Sequence, residues 1–232
     1  MTAVEWRGPR LVGFAGRAGA GKTTAARYLC ERYGFTRIRF AGALKDMMRA
    51  IGLTDAEIEG DRKEAPCDLL CGKMPRQAMQ WLGTEWGRDL IGLDFWVEAW
   101  SRQTQAVLAA GGRVAIDDVR FLNEASKIWG LGGIVVKIVA EGAAPPAASH
   151  RSEEQGFPCD LTIENPHDGL LALHHGINML NCSAAYGDAI RRRYWRQHLG
   201  DHGVGVDAPL SHAEACGIRE TQNHDKIPEG RK

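Results

Sequence analysis

The stretch that decides the fold is Gly16-Arg-Ala-Gly-Ala-Gly-Lys22-Thr23. It matches the phosphate-loop pattern G-x-x-x-x-G-K-S/T at every fixed position. The apolar run Leu11–Phe14 comes just before it, and from Lys22 onward apolar residues recur at three- and four-residue spacings. The pattern therefore predicts a buried strand, this loop and a helix in succession, which is the context that the motif requires. A chance match in a chain with 28 glycines is the less favoured interpretation.

The residue types in this loop are those that bind a nucleotide triphosphate. Glycines let the backbone adopt conformations closed to other residues and turn its N–H groups toward phosphate oxygens. The helix that begins at Lys22 adds the positive end of its dipole. Lys22 can reach the β- and γ-phosphates, and the Thr23 hydroxyl can bind Mg²⁺, so ATP and Mg²⁺ are the predicted cofactors. The predicted ATP-binding residues are Gly16, Arg17, Ala18, Gly19, Ala20, Gly21, Lys22, Thr23 and Thr24.

The composition is that of an ordinary globular protein. The 232 residues, 44% of them hydrophobic, suit one α/β domain with insertions. Lys plus Arg and Asp plus Glu number 29 each, so the charge balance predicts neither nucleic-acid nor membrane binding. No apolar stretch approaches the roughly 20 residues of a membrane span, and no leader pattern opens the chain. Of the six cysteines only Cys67 and Cys71 are close, which predicts reduced thiols in a soluble cytosolic protein rather than a zinc site.

Strand-like runs alternate with helical periodicities along the chain. This alternation predicts a parallel sheet covered on both faces by helices. Residues 54–73 carry a weak, charged pattern and are predicted to be irregular. The predicted strands are Leu11–Phe14, Thr36–Phe40, Val114–Ile116, Ile134–Val139 and Leu161–Ile163. The predicted helices begin at Lys22, or cover Leu44–Ile51, Pro75–Trp86, Phe95–Ala109, Asn123–Trp129 and Leu170–Leu180.

Two carboxylates follow the buried strand Val114–Ile116. A phosphate-loop enzyme needs a carboxylate near its metal at such a strand end, and Asp117 and Asp118 both qualify. We favour Asp118 as the metal-side or substrate-side carboxylate, with Thr23 as the other metal ligand. An aspartate that caps a helix or a turn is the alternative, and the pattern does not separate the two neighbours.

Five arginines are candidates for phosphate binding. They lie in the loop or beside predicted turns, where a cation can reach the equatorial oxygens of a transferring phosphoryl group. One such arginine can contribute roughly 10³–10⁵ in rate. A solvated surface charge is the alternative for each. The five are Arg17, Arg76, Arg88, Arg120 and Arg151.

Further stretches occur in the order known from one enzyme family. The most specific is Leu82-Gly-Thr-Glu-Trp-Gly-Arg88 followed by Asp118-Val-Arg-Phe-Leu-Asn-Glu-Ala125. The others are Gly16–Thr23, Phe40-Ala-Gly-Ala-Leu-Lys45, Lys63-Glu64, Pro75-Arg76, Gln80-Trp81, His150-Arg-Ser-Glu153 and 160–165. On these residues the chain resembles the bacteriophage deoxynucleoside monophosphate kinases, relatives of adenylate and guanylate kinases, over roughly residues 10–182.

The resemblance implies a P-loop NTPase fold, a three-layer sandwich with a parallel sheet, a helical monophosphate-binding insertion and a lid. The kinase domain would span residues 1–190, with the core at about 10–40 and 110–182. The insertion would cover about 41–109 and the lid about 140–158. The composition, and not the resemblance, predicts a peripheral helix and a poorly ordered tail for residues 191–232, which are basic and aromatic at first and then polar without a clear period. Two features depart from the family pattern: Gly42 stands where a more polar residue is expected, and no counterpart exists after about Ala184.

The resemblance also implies roles for individual residues. The lid would contain Arg151, and Asp118 and Arg120 would lie between phosphate donor and acceptor. The implied catalytic residues are Lys22, Asp118, Arg120 and Arg151. The implied substrate-binding residues are Lys45, Arg76, Gln80, Glu85, Arg88, Asp118 and Arg120.

The predicted activity is phosphoryl transfer from ATP to a deoxynucleoside monophosphate, giving ADP and the diphosphate. One alternative is a P-loop kinase for another small acceptor, such as dephospho-coenzyme A or a phosphorylated metabolite. Another is a non-catalytic nucleotide-binding regulator, whose working surface would be the basic and aromatic stretch Arg191–Trp195. The predicted location is the cytoplasm, or the host cytoplasm if a phage encodes the chain. The helical insertion would permit a homodimer.

Overall fold

The structure is a computed structural model that describes residues 5–140, 156–166 and 170–181. The chain divides into two units, Met1–Ser183 and Ala184–Lys232, and every described residue belongs to the first. Arg151, most of the predicted lid and the stretch Arg191–Trp195 lie outside the described residues. The predicted domain boundary near residue 190 and the predicted tail therefore stay predictions.

Five parallel strands form one sheet: β1 (Leu11–Ala15), β2 (Thr36–Arg37), β3 (Val114–Ile116), β4 (Ile134–Ala140) and β5 (Leu161–Asn165). They lie side by side in the order β2-β3-β1-β4-β5. This arrangement confirms the predicted α/β fold with a parallel sheet. Because β1 lies between β3 and β4, the residues that follow β1 and β3 meet at the same edge, where ligands of open α/β sheets bind.

Helices cover both faces of this sheet. Phe14 and Val136 belong to a core cluster that also contains residues of the first and last described helices. Side chains alternate between faces along a strand, and a Cβ on Gly13 would lie 2.6 Å from Cδ1 of Ile128, so the helix that carries Ile128 covers the opposite face. The helices are α1 (Lys22–Tyr33), α2 (Gly42–Ala50), α3 (Asp55–Ile58), α4 (Pro75–Trp81), α5 (Phe95–Ala109), α6 (Leu122–Gly130) and α7 (Leu170–Leu180). None of these described helices has the length and apolar character needed to cross a membrane.

The second strand is shorter than its alternating sequence predicts. A strand was expected over Thr36–Phe40, but β2 ends at Arg37. The Ile38 amide still donates to the Ala115 carbonyl at 3.1 Å. Beyond it, the amide of Phe40 donates instead to the carboxylate of Asp118. The chain leaves the sheet because a side chain, rather than a neighbouring strand, satisfies its backbone.

The charged segment 54–73 is not irregular, as its weak periodicity predicted. It contains α3, the 3₁₀ turns Asp61–Glu64 and Asp68–Leu70, and a backbone bridge between Cys67 and Lys73. Local capping is one cause, since the Glu57 carboxylate accepts both the amide and the hydroxyl of Thr54, at 2.8 and 2.7 Å. Tertiary packing is the other. Seven buried apolar residues within 41–109, hereafter the insertion, form a cluster of their own: Leu44, Met48, Leu53, Ile58, Cys67, Met79 and Trp96.

The helix predicted to continue from α4 changes type along its length. Residues Leu82–Ile91 form a π-helix, a rare element that often marks functional sites. Trp96 of α5 packs closely against it and donates from its indole nitrogen to the Gly83 carbonyl at 2.9 Å. A Cβ on Gly87 would lie 2.2 Å from the same nitrogen, so glycine at position 87 permits this contact. The periodicity of the sequence shows a helix here but not its wider turn.

Candidate active site

The predicted phosphate loop connects β1 to α1, and its backbone requires glycine. Gly16, Gly19 and Gly21 have φ values of 139°, 78° and 104°, a region that other residues rarely adopt. A Cβ on Gly16 would lie 2.3 Å from the Ile138 carbonyl oxygen, and one on Gly21 would lie 2.7 Å from the Asn165 side-chain nitrogen. Asn165 in turn donates to the Ala20 carbonyl at 2.9 Å, which ties the loop to the end of β5.

Lys22 folds back over this loop. Its ammonium group donates to the carbonyl oxygens of Gly16 and Arg17, each at 2.6 Å. The positive charge is thereby held at the rim of the loop, where the phosphates of a nucleotide would lie. The catalytic role that the sequence predicts for Lys22 stays a prediction.

Thr23 and Asp117 meet at the carboxyl ends of β1 and β3. The Thr23 hydroxyl donates to Oδ2 of Asp117 at 2.7 Å. The other oxygen, Oδ1, is buried and has no hydrogen bond within the described residues, although it forms a salt bridge with Nε of Arg37 at 3.3 Å. A hydroxyl beside a carboxylate oxygen that lacks a hydrogen bond is a donor set that suits Mg²⁺. No group of three or more potential metal-binding side chains (His, Cys, Asp, Glu) occurs among the described residues.

Asp118 has a different environment from its neighbour. Its two carboxylate oxygens accept from the backbone amides of Phe40 and Ala41, both at 3.0 Å. Burial raises the pKa of Asp118, and these two hydrogen bonds act in the opposite direction. The carboxylate therefore anchors the start of the insertion to the end of β3. The sequence preferred Asp118 as the metal-side residue, whereas this geometry favours Asp117.

A carboxylate surrounded by cations lies at the start of the insertion. The Glu59 side chain pairs with Arg39 at 2.7 Å and with Lys45 at 2.8 Å. Arg49 lies 3.9 Å from the same carboxylate. Burial by itself raises the pKa of Glu59, but the hydrogen bonds and charges of Arg39 and Lys45 outweigh it and lower the value to about 2. Glu59 is not predicted as a site residue by the sequence, since its partners lie 14 and 20 positions away along the chain.

Replacing Glu59 with glutamine is expected to change the pH dependence of stability. Because the folded-state pKa of Glu59 lies below its ordinary value of 4.5, the carboxylate stabilises the fold above that pH and loses this contribution as the pH falls toward 2. The wild type should have a higher free energy of unfolding than Glu59→Gln at about pH 6. With a discount for partial exposure, this difference should shrink by about 1 kcal/mol between about pH 6 and about pH 3. Urea unfolding at both pH values measures it. Asp46→Asn, which removes an exposed partner of Arg49, is the control, and an advantage that does not change with pH would contradict the prediction.

Lys63 and Arg76 extend this cationic region. Burial lowers the pKa of Lys63, and the neighbouring charges of Lys45 and Arg76 lower it further. Within the described part of the chain, the Lys63 ammonium has no hydrogen bond or ion pair, whereas Arg76 pairs with Glu64. Repulsion among three cations favours the binding of an anion among them. Lys63 was not predicted as a site residue, although it belongs to one of the stretches that carry the family resemblance.

Arg88 and Arg120 are brought near one another through Glu124. Arg88 donates to Oε1 of the buried Glu124 at 3.0 Å, and its guanidinium carbon lies 4.1 Å from the centre of the Phe121 ring. The backbone amide of Arg120 donates to Oε2 of Glu124 at 2.7 Å, while the Arg120 side chain is exposed. Burial raises the pKa of Glu124 to about 7, with a smaller contribution from the charge of Asp118. The sequence predicts no individual role for Glu124.

The remaining predicted residues of the described ranges are exposed. Gln80 and Glu85 are exposed, and their side chains make no hydrogen bond or ion pair within the described ranges. Arg17, Ala18 and Thr24 are exposed around the loop. The roles predicted for these residues, and for Arg151, stay predictions.

Comparison with known proteins identifies the family. No family model matches the chain. A protein of Acanthamoeba polyphaga mimivirus, named "Putative deoxynucleotide monophosphate kinase", is 38% identical over 147 residues. The match covers 58% of this chain and 76% of that protein. The chain belongs to the deoxynucleotide monophosphate kinase family.

Membership of the deoxynucleotide monophosphate kinase family confirms the resemblance seen in the sequence and makes the chain a kinase by class. Two solved structures are also similar. A "putative kinase" from Chloroflexus aurantiacus has a TM-score of 0.45 and 12% identity, with coverage of 75% of this chain and 94% of that one. The protein TT1252 from Thermus thermophilus has a TM-score of 0.39 and 15% identity, with coverage of 75% and 96%.

Proposed function

We propose that the chain phosphorylates a deoxynucleoside monophosphate with ATP and yields ADP and the diphosphate. The observation that carries this proposal is the Thr23–Asp117 hydrogen bond of 2.7 Å, formed where the glycine loop leaves the sheet. It lies at the sheet edge from which the insertion with its cationic region begins. This arrangement supports the proposal, because phosphoryl transfer needs a phosphate-donor site beside a site for an anionic acceptor.

The residues at the loop fit ATP and Mg²⁺. The positive-φ glycines expose backbone amides to the phosphates, and Lys22 supplies a cation at the rim. Thr23 and Asp117 would hold the metal, with Asp117 as the carboxylate in preference to Asp118. Magnesium, when bound, neutralises charge on the phosphate oxygens.

Charge on the acceptor side is supplied by the insertion. Lys45, Lys63 and Arg76 would hold the phosphate of the monophosphate, and Arg39 and Glu59 would orient Lys45. An oxygen of this phosphate attacks the γ-phosphorus of ATP. A new P–O bond forms there as the bond to the β–γ bridging oxygen breaks, and ADP leaves with the bond electrons. Lys22 and Arg88 would stabilise the charge on the phosphoryl group in transit.

The test of this function is ADP release from Mg·ATP in the presence of each common dNMP, each NMP and dephospho-coenzyme A. Stimulation by one or more deoxynucleotides supports the proposal and names the base. Stimulation by dephospho-coenzyme A alone would replace the proposed acceptor with the alternative one. Binding of ATP without stimulation by any acceptor would favour a non-catalytic nucleotide-binding protein. The cytoplasmic location, in a host cell if the chain is viral, and the homodimer belong to the same proposal.

Replacing Lys63 with methionine is expected to raise the KM for the acceptor about 10-fold, because loss of a hydrogen bond to a charged group costs about 1.5–3 kcal/mol. The KM for ATP should stay within about twofold, since Lys63 lies in the insertion and not in the loop. The matched control is Lys73→Met, because Lys73 is another lysine of the insertion and is exposed. Equal acceptor KM values in the two variants would remove Lys63 from the acceptor site.

A further inference from the structure

The segment 118–124 is bonded to both ends of the insertion. At the start of the insertion, Asp118 accepts the amides of Phe40 and Ala41. At the far end, the Asn123 side chain donates to Oδ1 of Asp94 at 2.8 Å, and Glu124 pairs with Arg88 of the π-helix. Of these three contacts, the Glu124 pair is the one whose partner in the insertion, Arg88, is a charged side chain of the predicted substrate site.

Glu124 uses its two oxygens for different partners. Oε1 accepts from Arg88, while Oε2 accepts from the amides of Arg120 and Phe121 at 2.7 and 3.1 Å. The residue is 3% exposed, so water cannot replace any of these partners. One buried carboxylate therefore joins the π-helix of the insertion to the loop that follows β3.

Two contacts orient the Arg88 guanidinium. One nitrogen donates to Glu124, and the planar group lies over the Phe121 ring. Within the described residues the Arg88 side chain makes no other hydrogen bond or ion pair, so its remaining N–H groups can meet a phosphate. An arginine held in this way loses little side-chain freedom when it binds an anion.

We propose that Glu124 is a positioning residue, which holds Arg88 and the Arg120 backbone in the arrangement that receives the phosphates. The proposal rests on the proposed function for its kinetic consequence. Glutamine has the size of glutamate but only one acceptor oxygen, and its NH₂ group would face an N–H donor on one side. Glu124→Gln must therefore lose its hydrogen bond with Arg88 or those with the amides of Arg120 and Phe121.

The experiment compares Glu124→Gln with Glu98→Gln. Glu98 lies on α5 and is an exposed partner of Lys127 on α6. Steady-state kinetics are expected to show an acceptor KM raised 10- to 100-fold, or kcat lowered by the same factor. Losses of this size are usual when a residue that hydrogen-bonds to a functional side chain and orients it is removed. The KM for ATP should stay within about twofold, because the phosphate loop is not contacted. Hydrogen exchange of residues 82–91 should accelerate in Glu124→Gln and not in Glu98→Gln.

Unchanged acceptor kinetics together with unchanged exchange in residues 82–91 would overturn the proposal. If the wild-type protein phosphorylates none of the acceptors, the proposed function fails, and the exchange measurement still decides whether Glu124 holds Arg88. If Glu124→Gln does not fold, Glu124→Asp keeps the charge on a shorter side chain. In that variant, accelerated exchange confined to 82–91 supports the proposal, and wild-type exchange overturns it.

Discussion

Lys22→Ala is expected to reduce phosphoryl transfer by at least about 10²–10³-fold, the usual cost of removing one group that stabilises transition-state charge. The ammonium lies at the rim of the loop and donates to the carbonyls of Gly16 and Arg17. The loop conformation depends mainly on its glycines, so the fold should be retained. Coupled ADP release measures turnover, and circular dichroism with thermal unfolding measures the fold.

Arg27→Ala is the matched control for this variant. Arg27 is an exposed cation on the same helix, five residues further along. Its removal changes the net charge equally without altering the phosphate loop. Turnover of Lys22→Ala within about tenfold of the control would exclude the loop as the site of transfer, since one group of this kind is worth more than that.

Asp117→Asn is expected to lower kcat about 10²–10³-fold, as for loss of another charge-stabilising group, and to raise the Mg²⁺ concentration that activity needs. Asparagine keeps the size of the side chain and one acceptor oxygen for Thr23, but it loses the charge that a hard cation prefers. The hydrogen bond from Thr23 at 2.7 Å can therefore survive while the metal site weakens. Magnesium titration of the coupled assay measures both effects.

Asp118→Asn serves as the comparison. An amide side chain has one acceptor oxygen, so one of the Phe40 and Ala41 amides would lose its partner, at about 1–3 kcal/mol of unfolding free energy. The stability loss should be larger than for Asp117→Asn and the loss of kcat smaller. The opposite order would return the metal-side role to Asp118, the residue that the sequence favoured.

The local sequence does not determine which of these two aspartates contacts Thr23. Both follow the same strand, and successive side chains point in different directions as the chain leaves a sheet. Which of them meets Thr23 depends on β3 pairing beside β1 with Leu11 opposite Val114. That register is a property of two segments about 100 residues apart, so no pattern around Asp117 and Asp118 contains it.

Charge clusters have the same dependence on distant residues. Glu59 lies in a segment whose charges predicted irregular structure, and its partners Arg39 and Lys45 come from the connection after β2 and from α2. Glu124 lies in a specific sequence motif, yet its contact with Arg88 spans 36 positions. The motif showed that the residue belongs to the family pattern, and only the contact explains what the carboxylate does.

Much of the framework followed from the sequence alone. Buried strands, amphipathic helices and a glycine loop are local patterns, and they predicted β1, β3, α1 and both ends of α5. The loop motif and the family stretches likewise predicted a phosphate-loop kinase. Tertiary structure decided the parts that depend on partners: the early end of β2, the π-helix beside Trp96, and the placing of Asp117, Glu59 and Glu124. A side chain's burial, charge state and hydrogen bonds depend on neighbours that the fold supplies, whereas the strands and helices are encoded by residues a few positions apart.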